Sequence, residues 1–274
     1  MLSSIIKKIK ILSAQKKPFK FLLARLLAFS GLSKHISFRR NGYRLRLFPT
    51  ALSQEFWLHP ESHLADEIFL NDFLSPGDTV VDAGANIGSM TLASSRLAGK
   101  SGRVYSVEAH PAIFGFLEQN VRLNGAGNVE LYNCALGDRN GEISFSDLKW
   151  DNENFIAREG AGIKVRLRRL DDLGIGAGRI NLLKIDVEGY EKFVLAGAAE
   201  TLKRTDCVYF EYYGKNYERY GCGFGDVFGI LKDAGFAVYR LDGGRAYELN
   251  AGYSSDSCEN LLAARDKKLL GAYL

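Results

Sequence analysis

Four acidic residues stand at the ends of apolar, β-prone runs in this chain. They are Asp82 after 79–81, Glu108 after 103–107, Asp186 after 180–185 and Glu211 after 207–210. In an open α/β sheet, ligands bind outside the carboxyl ends of the strands, so acids that recur there are candidates for one shared site. A carboxylate in the place of Glu108 can accept hydrogen bonds from both hydroxyls of a ribose. The segment Lys184-Ile185-Asp186-Val187-Glu188-Gly189 ends a strand in two carboxylates spaced i, i+2. Such a pair can orient an acceptor hydroxyl, take its proton, or hold a hard divalent metal ion, with Asp186 the candidate ligand. General-base help of this kind is typically worth ~10²–10⁴-fold in rate. The competing role is helix capping, in which Asp186 and Glu188 accept from the amides of the helix that follows.

The turn after Asp82 sets the choice of ligand. In TVVDAGANIGSMTL (79–92), the pattern is D-x-G-x-x-x-G, through Asp82, Gly84 and Gly88, with Ala85 and Asn86 inside the turn. A dinucleotide turn reads G-x-G-x-x-G and keeps bare backbone at its second glycine; here Asn86 occupies that position. The spacing favours S-adenosylmethionine (SAM), which carries no phosphate, over NAD. A plain tight βα turn is the alternative without a ligand. The Asn86 side chain could bind the amino-acid end of the cofactor or hold its own turn. Asp138, in Ala135-Leu136-Gly137-Asp138, could accept from an adenine amino group or cap its loop, and His110 could line the adenine pocket. His59 and His63 are four residues apart, which suits a base with its partner or half of a metal site. Pro60 interrupts a helix between them, and ordinary surface or core histidines are the other reading. Tyr209, Tyr212, Tyr213, Tyr217 and Tyr220 could stack on sugar faces or simply pack.

These residues need a scaffold that alternates strands and helices. Predicted strands at 79–82, 103–107, 129–134, 180–185, 207–210, 236–241 and 260–264 alternate with helices, including one that carries Met90, Ala93, Ser94 and Leu97 inward. A second carries Ile113, Leu117 and Val121, and a third Val194, Ala198 and Leu202. The pattern predicts an α/β, Rossmann-like, doubly wound and mainly parallel sheet. Asn41-Gly42 predicts a hairpin within 37–48, and 54–74 reads as a helical preface. Gly141 opens one arm of a small hairpin, and 164–170 alternates as a strand. Polar, poorly patterned 149–162 is a candidate lid or substrate loop.

Charge divides the chain. Twelve of the 36 basic residues and none of the 32 acidic ones lie in residues 1–54, which leaves a net charge of −8 on the rest. That asymmetry, with apolar stripes at helical spacing in 2–12 and 19–27, predicts a basic helical N-terminal extension (1–54) before the main domain (55–274). Three roles are open to the extension. It packs on the acidic body or across a homodimer; it meets an anionic membrane surface through residues 1–34; or it binds nucleic acid, for which no recognition motif is present. No uncharged apolar run reaches bilayer-spanning length, and 19–32 is interrupted by Lys20 and Arg25. The four cysteines lie far apart without a C-x-x-C pair, which argues against a disulfide or zinc framework and fits a cytoplasmic setting, peripheral to a membrane if the extension binds one.

Taken together, TVVDAGANIGSMTL, RVYSVEAHP, NVELYNCALGD and LLKIDVEGYEKFVLAGA resemble the FkbM-type SAM-dependent methyltransferases, over roughly residues 66 to 265. The resemblance implies a class I methyltransferase fold, a seven-stranded sheet with an antiparallel last strand. It also implies O-methylation of a hydroxyl on a saccharide, glycan or natural product. It places Asp82, Gly84, Ala85, Asn86, Gly88, Glu108, Ala109 and Asp138 on the cofactor side. Asp186, Glu188, Lys184 and His63 are the candidates for the acceptor side. Ala109 stands where the family usually has proline. An NAD-dependent oxidoreductase and a non-catalytic SAM-binding, membrane-associated scaffold are the rival readings.

Overall fold

The computed structural model describes residues 17–148 and 154–273. The predicted helix within 2–12 and the first part of the candidate lid, 149–153, lie outside the described residues.

The first described element is helix α1 (Pro18–Ser30), which ends at Gly31 as expected. Strands β1 (Ser37–Arg40) and β2 (Tyr43–Arg46) form the predicted hairpin. Asn41 and Gly42 both take positive φ (38° and 92°), the turn that matches strand twist. The hairpin is docked by side chains from afar. Asn124 Oδ1 accepts from the Arg44 amide (2.8 Å) and Asn120 Oδ1 from the Arg46 amide (2.9 Å). Tyr43, Leu45 and Phe48 are buried in the same apolar cluster as Phe56, Leu70 and Val80. Arg40 and Glu67 form a buried ion pair, which Tyr43 joins through its hydroxyl.

The helical preface is two helices, α2 (Ala51–Leu58) and α3 (Leu64–Phe73). The break falls at His59-Pro60, because a residue before proline is pushed out of the helical region. His59 ends α2 at φ −126°, ψ 78°. His63 starts α3 in the left-handed region, φ 56°. The two histidines therefore do not share a helix face.

The main sheet holds β3 (Thr79–Ala83), β4 (Arg103–Glu108), β5 (Val129–Asn133), β9 (Ile180–Ile185), β10 (Thr205–Tyr212), β11 (Ala237–Asp242), β12 (Arg245–Glu248) and β13 (Glu259–Ala264). Its order is β12-β11-β13-β10-β9-β3-β4-β5. β5, β4, β3, β9 and β10 pair in parallel, and β13 inserts antiparallel between β10 and β11. The sheet thus has the expected antiparallel last strand. It exceeds the seven strands of the resemblance by β12, which pairs with the edge of β11 through a Gly243-Gly244 turn.

Helices α4 (Ser89–Ala98), α5 (Pro111–Asn124), α6 (Glu191–Ala196), α7 (Ala199–Lys203), α8 (Gly214–Glu218) and α9 (Phe224–Asp233) complete the described α-helices. α5 buries Ile113, Leu117 and Val121, as its spacing predicts. α4 buries Thr91, Leu92 and Ser95 beside the expected Ala93 and Ser94, and Met90 lines the cleft instead. The helix carrying Val194, Ala198 and Leu202 is split into α6 and α7 at Gly197. A Cβ there would lie 1.9 Å from the Gly137 carbonyl oxygen, so the backbone comes too close for any side chain. Two apolar clusters cover the faces of the main sheet, and a small third one lies at Ala135, Phe145, Val165 and Leu167. Of the first two, one is centred on Val81, Leu183 and Phe210, the other on Val80, Leu182 and Tyr209. Alternate residues of one strand feed opposite clusters, as expected of a sheet covered on both faces.

A second sheet, β6 (Ala135–Leu136), β8 (Ile163–Arg168) and β7 (Gly141–Phe145), stands beside the first. The predicted loop at 135–138 therefore begins as a short strand. The arm at Gly141 finds its partner in β8, antiparallel. Among the described residues no helix is long and apolar enough to cross a membrane.

Candidate active site

One cleft runs along the carboxyl ends of β3, β4, β9 and β10. Its first rim is the turn after β3. Gly84 (φ 78°), Asn86 (φ 49°) and Gly88 (φ 93°) bend the chain from strand into α4. Each glycine is required by the fold itself. A Cβ on Gly84 would fall 1.8 Å from the Asp186 carbonyl oxygen, and one on Gly88 2.5 Å from Leu117 Cδ1. The absent side chain at Gly84 thus lets β9 close against the turn, and the two strong sequence segments touch through backbone.

Glu108 is mostly buried at the end of β4 and holds this rim in register. Its Oε2 accepts from the Asn86 amide (2.9 Å) and its Oε1 from the His110 amide (2.8 Å). The Asn86 side chain holds its own turn, its Oδ1 accepting from the Ile87 amide at 2.7 Å. Gly84, Ala85, Asn86, Glu108 and Ala109 line the cleft, together with Ser89 and Met90. An apolar wall of Cys134, Ala135, Leu136, Phe145 and Ile156 adjoins them.

Three residues expected on the cofactor side sit elsewhere. Asp82 lies beneath the turn, 1% exposed, accepting from Thr91 Oγ1 (2.6 Å) and paired with Lys184 Nζ (3.2 Å). Gly88 is covered by Leu117. Asp138 is exposed and paired with Arg139 (3.1 Å). His110, read as an adenine-pocket residue, caps α5 instead. Its Nδ1 accepts from the Ala112 amide, and its Nε2 lies 3.2 Å from Asp147.

The second rim gathers acids. Oxygens of Asp186, Glu188 and Glu211 lie within 4.8 Å of one another. The register explains the meeting. Phe210 pairs with Ile185 across β10 and β9, so the next residues, Glu211 still within β10 and Asp186 just past β9, stand side by side. Glu188 follows in the left-handed region (φ 56°) and accepts from Asn216 Nδ2 (2.9 Å). Burial, then the Glu211 and Asp186 charges, push the Glu188 carboxyl up to about 9. Burial and Asp186 push Glu211 up to about 7, against a hydrogen bond from Cys258. The helix that follows has no side-chain cap, so neither Asp186 nor Glu188 fills the capping role weighed for them. Glu191 is wholly buried, and its Oε1 accepts from the Val187 (3.0 Å) and Gly189 (3.4 Å) amides. Burial lifts its carboxyl to about 8, despite hydrogen bonds from the Val187 amide and its own.

Lys184 joins the rims. Its ammonium donates to the Gly84 carbonyl (2.8 Å) and pairs with Asp82 (3.2 Å) and Asp186 (3.4 Å). Burial opposes its charge, but the two carboxylates outweigh burial and hold it above the usual lysine range. His63 lines the cleft 3.6 Å from Glu55 and 3.5 Å from Asp66. Hydrogen bonds to Asp66 and Glu55 raise it to about 10. His59 pairs with Glu61 instead and does not reach the cleft lining. Of the five tyrosines considered for sugar stacking, Tyr209 reaches the lining, its hydroxyl bonded to Asp66 (2.7 Å). Tyr190, not singled out in the sequence, lines it too. Asn154 and Ile156 bring the described part of the candidate lid to the cleft, and Tyr220 ties it down through the Ile156 carbonyl (3.2 Å).

A doubly wound sheet with its last strand antiparallel, a glycine turn after β3 and an acid ending β4 defines the SAM-dependent methyltransferase class. The chain belongs to the FkbM methyltransferase family: residues 82–238 match the methyltransferase FkbM domain. It is 32% identical over 158 residues to the 2-O-methyltransferase NoeI of Sinorhizobium fredii, a match covering 50% of this chain and 64% of that protein. It is 30% identical over 148 residues to Methyltransferase 1 of Beauveria bassiana, covering 44% and 59%. The matches thus span about three-fifths of the length of these curated relatives. Among solved structures, the methyltransferase FkbM from Methylobacillus flagellatus aligns with a TM-score of 0.43 and 15% identity, over 77% of this chain and 52% of that one.

Proposed function

We propose that this protein transfers the methyl group of SAM to a hydroxyl of a saccharide or similar polyol. The observation that carries the reading is the convergence of Asp186, Glu188 and Glu211 in the same cleft as Glu108 and the Gly84–Asn86 backbone. The cleft suits SAM because a carboxylate stands beside an apolar wall. Glu108 would accept from the ribose hydroxyls, and Ala109, Leu136 and Phe145 would flank the base. When bound, SAM supplies an electrophilic methyl on a sulfonium.

The chain's task is then to hold an acceptor oxygen in line and to receive its proton. A group titrating near the working pH is the most effective base, which favours Glu211. Glu188 keeps its proton at neutral pH and can donate a hydrogen bond to the acceptor. The charge of Glu211 acts on Glu188, so those two titrations are linked. Asp186 is fixed by Lys184 and orients the acceptor. Lys184 and His63 are both held protonated, so neither serves as the base. Lys184 fixes the rims together, and His63 anchors the start of α3. The same three hard oxygen donors fit a divalent cation such as Mg²⁺, which would lower the pKa of a bound hydroxyl.

The polyol reading draws on this polar, acid-lined acceptor rim and on the 2-O-methyltransferase named among the relatives. The test is transfer from isotopically labelled SAM to fractionated glycans, lipids and small molecules of the source cell, with and without Mg²⁺. A labelled O-methyl ether is the expected product. Calorimetry showing NADH but not SAM binding would overturn the reading, and SAM binding without transfer to any fraction would leave a scaffold.

A further inference from the structure

Among the described residues, the apolar side of helix α1 is largely exposed. Phe19, Leu22, Leu23 and Leu26 follow one stripe of the helix and are 86%, 42%, 48% and 65% exposed; Leu32 just beyond is 56% exposed. The side turned to the body carries Ala24, 1% exposed, about 140° round the helix from Phe19. Lysines at the start of α1 tie it to α2. Lys17 Nζ donates to the Leu58 carbonyl at 3.0 Å, and Lys20 sits 4.5 Å over the Trp57 ring. The stripe packs on no described part of the body, although its spacing alone is that of a core-facing helix. Scattered exposed leucines are ordinary, but a contiguous stripe of this kind marks a surface that meets something.

The charge around the stripe selects what it meets. Lys20 and Arg25 flank it on either side of the helix, and Arg39 and Arg44 of the adjoining hairpin are exposed. Residues 1–54 hold twelve basic and no acidic residues, against a net charge of −8 on the rest. A partner for this face must be apolar within and anionic at its surface. A second copy would set basic head against basic head about a two-fold axis. An anionic phospholipid surface offers both, acyl chains for the stripe and headgroups for the flanking cations.

We propose that α1 docks the protein on an anionic membrane surface, lying in the headgroup plane with Phe19, Leu22, Leu23 and Leu26 inserted. The contact would lie beside the cleft, since α1 packs on α2, whose Leu52 and Phe56 line it. The proposal does not depend on the acceptor or on methyl transfer, because its readout is binding alone.

The test is co-flotation of the full chain with phosphatidylcholine vesicles containing about 30% phosphatidylserine, against phosphatidylcholine alone. The expected result is binding to the anionic vesicles at least tenfold stronger than to neutral ones, weakening with salt. Phe19→Ser with Leu26→Ser should weaken it a further tenfold, with thermal melting and SAM affinity unchanged, since neither side chain is packed. Absence of flotation, equal binding to both vesicles, or an unaffected double variant would each overturn the proposal. So would a dimer in solution that the double variant dissociates without any vesicle binding, which would show that a second copy covers the face.

Discussion

The two rims of the cleft are built from the same device, an acid at a strand end, yet they treat that acid in opposite ways. On the β3–β4 rim, Glu108 is held by two backbone amides, so its charge is compensated before a ligand arrives. On the β9–β10 rim, Asp186, Glu188 and Glu211 crowd together, and two of the three carboxyls are driven upward. A compensated carboxylate is a rigid acceptor suited to recognition. A crowded cluster that its neighbours compensate only in part stores a demand for a proton or a cation, which suits it to chemistry. Lys184 and the missing Cβ of Gly84 keep the two rims at a fixed spacing.

The strongest way to break this arrangement is to push the rims apart. Gly84→Ala forces a Cβ into the Asp186 carbonyl at positive φ, and should cost roughly 3–5 kcal/mol of stability. Urea unfolding measures it, and a variant within 1 kcal/mol of the parent, on the order of an ordinary surface change, would mean that the rims are not in backbone contact. A milder cut separates recognition from chemistry. Asp186→Asn should lower turnover by about 10²-fold while leaving SAM affinity within about threefold. Equal losses in both would place Asp186 on the cofactor side. Conversely, Glu108→Ala should weaken SAM binding by more than about tenfold, through the lost ribose acceptor and a loosened turn. Calorimetry showing unchanged affinity would remove Glu108 from the ribose.

The smallest effect is on stability against pH. The carboxyls of Glu188 and Glu211 titrate higher in the folded chain than unfolded, so the folded state binds more protons between about pH 5 and pH 9. Stability should therefore fall as pH rises through that window, by a few degrees in melting temperature, and Glu188→Gln should flatten the slope. Turnover should run the other way, rising as Glu211 ionises near 7. A parent whose melting temperature climbs from pH 6 to 9 would contradict the crowded-acid account.

Much of this was legible in the chain. Asn41-Gly42 encodes its own turn, Pro111 and Asn124-Gly125 bracket α5, and the strand-end acids mark the rim. All of these are local signals, set by backbone preference or by side-chain period. The place of Glu191 is harder to read. It is one of several acids in 186–191, and which of them turns inward onto the loop amides depends on burial. Gly84 reads as a turn residue, but what requires its missing side chain is the Asp186 carbonyl, which is distant in sequence. The apolar stripe of α1 was equally visible, but exposure is a property of what stands opposite it.

By itself, then, the sequence determined an alternating α/β scaffold, the turn after Asp82 and the chemical types available at the strand ends. Only the tertiary structure decided which of those acids meet. Glu211 joins Asp186 and Glu188 because β10 pairs with β9 in the register Phe210 to Ile185. That register is fixed by hydrogen bonds and core packing between segments distant in the chain, and no local pattern of residues encodes it.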